Sequence, residues 1–74
     1  MNTEELIGVF RAVLELDDIT ADGDFFELGG DSLLATRVLS RVARDTGVEL
    51  TFDDFVLAPT PGALADRLAG VAAS

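Results

Sequence analysis

The residues best suited to chemistry lie between positions 24 and 34, where the sequence reads DFFELGGDSLL. One hydroxyl group, that of Ser32, follows two glycines and an aspartate: Gly29, Gly30 and Asp31. Glycines allow positive φ and remove side-chain bulk, so another protein can approach this serine closely. If a helix begins at Asp31, its free N–H groups favour an anion such as a phosphate ester. Ser32 is therefore the candidate modification site, with these three residues as its surroundings.

The acidic residues before this serine also suggest a calcium loop. Asp18, Asp22 and Asp24 fall at positions one, five and seven of a twelve-residue EF-hand loop. Position three is Thr20, however, and position twelve, which needs a bidentate glutamate, is Gly29. We therefore predict no specific calcium site, and we expect the loop acids to form a solvated face.

Residues 30–33 match the nucleophile block of the Gly-Asp-Ser-Leu hydrolases. A nucleophilic serine requires a base, which in that family is a histidine. The chain has no histidine and no lysine, because all five of its basic residues are arginine. Seventy-four residues are also too few to build the sheet that carries such a triad. The sequence therefore excludes a hydrolytic nucleophile.

Composition limits the class of protein further. Seventy-four residues allow one domain, spanning residues 1–74, and a hydrophobic content of 49% is too high for a disordered chain. A net charge of −9 argues against nucleic-acid or anionic-membrane partners and favours neutral or basic protein partners. No apolar run approaches the roughly 20 residues of a membrane span. We expect a cytoplasmic monomer.

Four helices are predicted to position the serine, forming an all-α bundle of three main helices with a short third one. The helix starts are marked by capping residues: Asn2 or Thr3 (Asn2 with Glu5 at the capping-box spacing), Asp31, Thr51 or Asp53, and Thr60 before Pro61. The second helix should end near residue 46, with Gly47 as its left-handed stop. The last helix is expected to bury its apolar residues: Leu64, Ala65, Leu68, Ala69 and Val71.

Residues 17–31 lack helical periodicity and predict a long, ordered loop. Phe25, Phe26 and Leu28 should anchor this loop to the bundle, because they are costly to leave in water. The remaining phenylalanines are expected in the core: Phe10, Phe52 and Phe55.

Helical periodicity divides the second helix into two faces. The predicted buried stripe consists of apolar residues: Leu34, Ala35, Val38, Leu39 and Val42. Leu33 falls opposite this stripe, together with Arg37 and Ser40, and these three are the candidate partner-binding residues. The alternatives are that Leu33 is an ordinary exposed leucine and that the arginines simply pair with acids such as Asp45.

The segment DFFELGGDSLLATRVLSRV closely resembles the attachment motif of peptidyl carrier (thiolation) proteins of nonribosomal peptide synthetases, in the acyl-carrier-protein superfamily. The resemblance extends from the first helix to the late Pro-Thr-Pro segment and the Leu-Ala after it. It implies a four-helix bundle in which Ser32 carries 4′-phosphopantetheine. One departure is Pro61, where the family more often has a β-branched residue. The alternatives are an acyl carrier of fatty-acid or polyketide synthesis and a non-catalytic acidic helical module without a prosthetic group.

The resemblance also implies that the chain is a carrier and not an enzyme. A phosphopantetheinyl transferase would modify Ser32, an adenylation enzyme would load an amino or aryl acid as a thioester, and condensation or tailoring enzymes would act on it. The second helix would be the docking face. The span from Met1 to Ser74 suits a free-standing carrier, although an excised module would look identical. If the loop needs positive φ or close enzyme approach at Gly30, Gly30→Val should block modification far more than it destabilises the fold.

Overall fold

The computed structural model describes residues 1–73 and contains four helices. They are α1 (Thr3–Leu14), α2 (Ser32–Thr46), α3 (Phe52–Leu57) and α4 (Pro61–Ala73). No strand forms within the described residues. The predicted all-α bundle with a short third helix is confirmed.

The helix starts are the predicted ones. Before α1, the Glu5 N–H donates to Asn2 Oδ1 at 2.8 Å, and the Asn2 N–H donates to Glu5 Oε1 at 3.0 Å. These two bonds form the capping box that satisfies orphan donors at the helix start. Before α4, Thr60 Oγ1 accepts from the Ala63 N–H at 3.1 Å, and Pro61 is the first helical residue. Of the two candidates for α3, Thr51 is the cap.

Three phenylalanines form the centre of the core. Phe10 from α1, Phe25 from the long loop and Phe55 from α3 are all fully buried. The ring centroids of Phe10 and Phe25 lie 5.2 Å apart in a T-shaped arrangement, and those of Phe25 and Phe55 lie 4.9 Å apart. Such aromatic pairs add stability beyond the area they bury. The core therefore joins α1, the loop and α3 at one point.

Three predictions of burial are wrong. Phe52 is 38% exposed, because it begins a helix of six residues whose one buried side chain is Phe55. Its ring lies against Phe26, at a centroid distance of 6.0 Å, at the edge of the core. Ala69 is exposed because it lies about 100° around α4 from buried Leu68. Val71, in the last turn of α4, is also exposed.

The segment before Ser32 is an ordered loop, as predicted. Phe25 is fully buried, Phe26 and Leu28 pack against the core, and the Phe25 N–H donates to the carbonyl of Pro59 at 2.9 Å. Asp24 does more than contribute to a solvated face, since its Oδ1 accepts from the N–H groups of Phe26 and Glu27. This carboxylate fixes the turn that holds the anchoring phenylalanines.

In the part of the chain that the structure describes, no helix combines the length and the apolar character that crossing a membrane requires.

Candidate functional site

Asp31 is the N-cap of α2 and fixes where the helix starts. Its backbone is extended, with φ −133°, and its Oδ1 accepts from the Leu34 N–H at 2.9 Å. Its carbonyl accepts the first backbone hydrogen bond of the helix, from the Ala35 N–H at 2.8 Å. Replacing such a cap by alanine typically costs about 0.5–2 kcal/mol. The negative charge beside the serine therefore has a structural reason.

Ser32 is the first residue of α2, and its side chain is exposed. Its carbonyl accepts from Thr36 Oγ1 at 2.9 Å, but within the described residues its own hydroxyl makes no hydrogen bond. The first N–H groups of a helix have no partner inside the helix and carry the positive end of its dipole. The hydroxyl is thus available for reaction, and a phosphate ester attached to it would lie in a favourable field.

The two glycines before the serine have different functions. Gly29 has φ 106°, and a Cβ added there would meet no atom within 4 Å. Gly30 has no positive φ; its N–H donates to the Phe25 carbonyl at 2.9 Å. A Cβ on Gly30 would lie 2.7 Å from that carbonyl oxygen and would collide with the Phe25 ring. The positive φ offered as one reason for Gly30 is therefore absent, and Gly30→Val should destabilise the fold as well as block modification, because the added side chain would enter the core.

The other predicted site residues lie along the exposed side of α2. Leu33 is 65% exposed, and Arg37 and Ser40 are exposed on the same side. The opposite stripe packs inward as predicted, with Ala35, Val38 and Val42 buried and Leu34 and Leu39 partly buried. The helical phase derived from periodicity is therefore correct. The structure brings all three candidate partner-binding residues to one open cleft of about 320 Å³ between α1 and α2.

The arginines of α2 differ in their ion pairs. The Arg41 Nε donates to Asp45 Oδ2 at 2.9 Å, and the Arg44 Nε lies 3.7 Å from Asp45 Oδ1. Arg37 forms no ion pair within the described residues. An ion pair with Asp45 thus explains the position of Arg41 and, in part, that of Arg44. It does not explain the position of Arg37.

One polar cluster near α3 was not predicted from the sequence. Asp54 accepts the Thr51 N–H at 2.9 Å in a capping box, and its other oxygen lies 2.6 Å from Nη2 of Arg67 in α4. The Thr51 backbone hydrogen bond, and then the Arg67 guanidinium, lower the pKa of Asp54 below its ordinary value of 3.8. The three-residue spacing of Thr51 and Asp54 is the signal from which the capping box could have been found. Nothing in the sequence indicates Arg67, which lies 13 residues further on.

The acidic loop does not assemble a metal site. Nowhere in the part of the chain that the structure describes do three or more Asp, Glu, His or Cys side chains converge as ligands. Asp22 instead accepts a hydrogen bond from the Thr20 hydroxyl at 2.9 Å.

A family model described as the phosphopantetheine attachment site matches residues 4–68 of the chain. Among curated proteins, the chain is 48% identical over 69 residues to the probable nonribosomal peptide synthetase CymA of Salinispora arenicola (strain CNS-205). That match covers 92% of this chain but only 1% of the relative. The chain therefore corresponds to a very small part of that large protein.

Two solved structures are similar over most of their length. One chain in the structure of the phosphopantetheine transferase Sfp with coenzyme A and a peptidyl carrier protein matches at TM-score 0.89 and 31% identity, covering 95% of this chain and 91% of that one. A nonribosomal PCP domain matches at TM-score 0.74 and 41% identity, covering 86% of this chain and 82% of that one. Sequence and fold thus point to the same group of proteins.

Proposed function

Since the chain belongs to the phosphopantetheine-attachment family as a peptidyl carrier domain, we propose that Ser32 is the residue that bears its 4′-phosphopantetheine arm. Membership in this family argues against the alternative function, that of an acidic helical module without a prosthetic group. The 41% identity to a nonribosomal PCP domain favours the peptidyl class over acyl carriers of fatty-acid or polyketide synthesis. The observation that carries the assignment is the Ser32 hydroxyl at the first residue of α2, which is exposed and has no hydrogen-bond partner among the described residues.

The residues around Ser32 suit a phosphodiester. The backbone N–H groups of Ser32 and Leu33 lie at the open start of α2 and can face a phosphate oxygen. The Asp31 carboxylate accepts a hydrogen bond from Leu34, which offsets part of its charge. Gly29 has no side chain and open space around its Cα, so an enzyme's backbone can approach from that side.

Attachment would be a single displacement at phosphorus. The Ser32 oxygen forms a bond to the phosphorus on the pantetheine side of coenzyme A, and the pyrophosphate P–O bond breaks. The nucleotide leaves with its phosphate, and the hydroxyl proton passes to a base of the transferase. The role of this chain is to present the hydroxyl at a fixed position.

The carrier would not catalyse the later reactions. When attached, the arm supplies a thiol that holds an amino or aryl acid as a thioester. An adenylation enzyme would load that acid, and condensation or tailoring enzymes of a nonribosomal peptide pathway would use it. A tethered thioester stays at high effective concentration near each partner's active site. Specific recognition of those partners would then be the main task of the protein surface.

Intact-mass analysis tests the proposal. The chain is incubated with Sfp, coenzyme A and Mg²⁺, and its mass should rise by one phosphopantetheine. Ser32→Ala should remain unmodified at every time point, with unchanged helical content by circular dichroism. Ser74→Ala, which removes a serine hydroxyl far from position 32 in the sequence, should still be modified completely.

Two results would contradict the proposal. Label that persists on Ser32→Ala would place the arm on another residue. A wild-type chain that stays unmodified after prolonged incubation would contradict the proposed carrier function itself.

A further inference from the structure

Asp24 differs from the other acids of the long loop in what its side chain binds. Its Oδ1 accepts the Phe26 N–H at 2.9 Å and the Glu27 N–H at 3.2 Å, and its carbonyl accepts the Leu28 N–H at 3.0 Å. Among the acidic residues at positions 17–27, all of which the structure describes, it alone uses its carboxylate to accept backbone N–H groups. Asp24 therefore starts and holds the single turn formed by residues 25–29.

Phe25, the first residue of that turn, connects two parts of the molecule through its backbone. Its N–H donates to the carbonyl of Pro59, in the connection between α3 and α4, at 2.9 Å. Its carbonyl accepts the Gly30 N–H at 2.9 Å. The Phe25 ring is fully buried, so this backbone has little freedom to move relative to the core. The position of Gly30 is thus set jointly by the core and by the turn that Asp24 holds.

Only Asp31 separates Gly30 from Ser32, so the position of Gly30 determines where the chain enters α2. From the helix side, Asp31 fixes the same point, because its Oδ1 accepts the Leu34 N–H at 2.9 Å. The Ser32 hydroxyl is therefore placed by two constraints: the Gly30–Phe25 hydrogen bond and the Asp31 cap. Asp24 itself makes no hydrogen bond to Ser32 within the described residues.

We propose that Asp24 is a positioning residue for the reaction at Ser32, acting through the Phe25 carbonyl and Gly30. The inference rests on the proposed role of Ser32 as the attachment site. Displacement at phosphorus needs the attacking oxygen in line with the leaving group, and a misplacement of about 1 Å can slow such a step about 100-fold. Looser placement of Gly30 would reach the hydroxyl directly, because only one residue lies between them.

The apolar anchors should keep the loop attached when the Asp24 carboxylate is removed. Phe25 is fully buried, and Phe26 and Leu28 pack against the core. Removing one acid from a chain of net charge −9 also reduces repulsion among its carboxylates. Loss of the carboxylate should therefore loosen the turn and the Gly30 hydrogen bond without releasing the loop, which separates positioning from folding.

The test compares single-turnover rates of modification, with Sfp and coenzyme A in excess over carrier, at a series of Sfp concentrations. Asp24→Ala should lower the maximal rate about tenfold and change the half-saturating Sfp concentration by less than about twofold, because placement of the hydroxyl changes and the contact surface does not. Asp24→Asn keeps an Oδ1 acceptor for the turn and should stay within about threefold of wild type. The matched control is Asp22→Ala, with the same loss of charge in the same loop, which should stay within about twofold. The Asp22 carboxylate accepts only the Thr20 hydroxyl among the described residues.

Hydrogen exchange of the Gly30 amide provides a readout that does not depend on the transferase. Asp24→Ala should exchange this amide faster than wild type, while the amides of buried Val38 and Val42 in α2 keep their wild-type rates. Asp24→Asn should restore slow exchange at Gly30 together with the rate of modification. Thermal melts and circular dichroism show that each variant is folded.

Four results would overturn the inference. They are a wild-type maximal rate for Asp24→Ala, an equal loss of rate in Asp22→Ala, an unchanged Gly30 amide in a slowed Asp24→Ala, and unfolding of Asp24→Ala. The last result would make Asp24 a residue of the fold and not of the site. Failure of Sfp to modify the wild type would instead contradict the role of Ser32.

Discussion

Gly29 and Gly30 are neighbouring glycines that are required for different physical reasons. Gly29 holds a φ of 106°, where side chains are rarely tolerated, but its surroundings are open. Gly30 has no such φ, but it has the Phe25 carbonyl and ring directly against it. The first glycine is required by backbone conformation and the second by packing, so substitutions should act on the site by different routes.

Gly30→Ala should destabilise the protein by about 1–3 kcal/mol, the usual cost of overpacking a core. The added methyl group would push Phe25 away from its partners and shift the Asp31 cap with it. Both the melting temperature and the rate of modification should therefore fall. The comparison is Gly29→Ala, which carries only backbone strain of about 1 kcal/mol. If Gly30→Ala has the melting temperature of wild type, Phe25 can move aside at little cost in free energy, and the predicted destabilisation is contradicted.

Leu33 and Leu34 are adjacent, but substitution of Leu33 should affect partner reactions and substitution of Leu34 should affect stability. Leu33→Ala should leave the free energy of unfolding within about 1 kcal/mol of wild type, since its side chain is 65% exposed. It should slow modification or loading by partner enzymes roughly tenfold, equivalent to losing about 1.4 kcal/mol of contact. Leu34→Ala should cost about 1–2 kcal/mol, less than a fully buried leucine, because it is only partly buried. Denaturant melts and initial rates distinguish the two, and unfolding of Leu33→Ala would contradict the assigned face.

At the level of elements, α3 is the most weakly held helix. It has six residues, of which only Phe55 is buried. A helix this short is not stable by itself and depends on its contacts. Its tie to α4 includes the ion pair of Asp54 and Arg67, and Asp54 also forms the capping box with Thr51. One carboxylate therefore supports both the start of α3 and its position against α4.

Asp54→Asn should lower the melting temperature at neutral pH by a few degrees. The folded-state pKa of Asp54 lies below its ordinary value of 3.8, so its contribution is fully present above that pH and is lost as pH falls through the lowered pKa. The difference between wild type and variant should therefore disappear in acid. Asp53→Asn, a neighbouring change of equal charge, should have a smaller effect at neutral pH. A difference between wild type and Asp54→Asn that does not shrink as pH falls below 3.8 would contradict this assignment.

The elements could be predicted from the sequence because their ends are encoded locally. Asn2, Asp31 and Thr60 each cap their helix through a neighbour three residues away, and such spacing is readable. The exposed side of α2 and the place of Ser32 at the start of that helix could also be predicted, because both follow from local spacing. Contacts between residues distant in the sequence could not be predicted. The collision that requires Gly30, like the ion pair from Arg67, depends on the tertiary arrangement of the loop, α3 and α4.

The whole molecule carries a net charge of −9 over 74 residues. Folding brings these like charges together, so their repulsion opposes the compact state. The arginines of α2 relieve it only locally, because most of the acids lie in the loops and in the other helices. Repulsion among the carboxylates should thus weaken the fold as a whole, and added salt should reduce that repulsion.

Raising NaCl from about 10 to 200 mM should increase the melting temperature by a few degrees, because screening over about 10 Å or less reduces the repulsion among carboxylates. Calorimetry measures this trend. NaCl is chosen because sulfate would strengthen apolar burial as well. A melting temperature that is flat or falls with NaCl would show that self-repulsion is not what limits the stability of this fold.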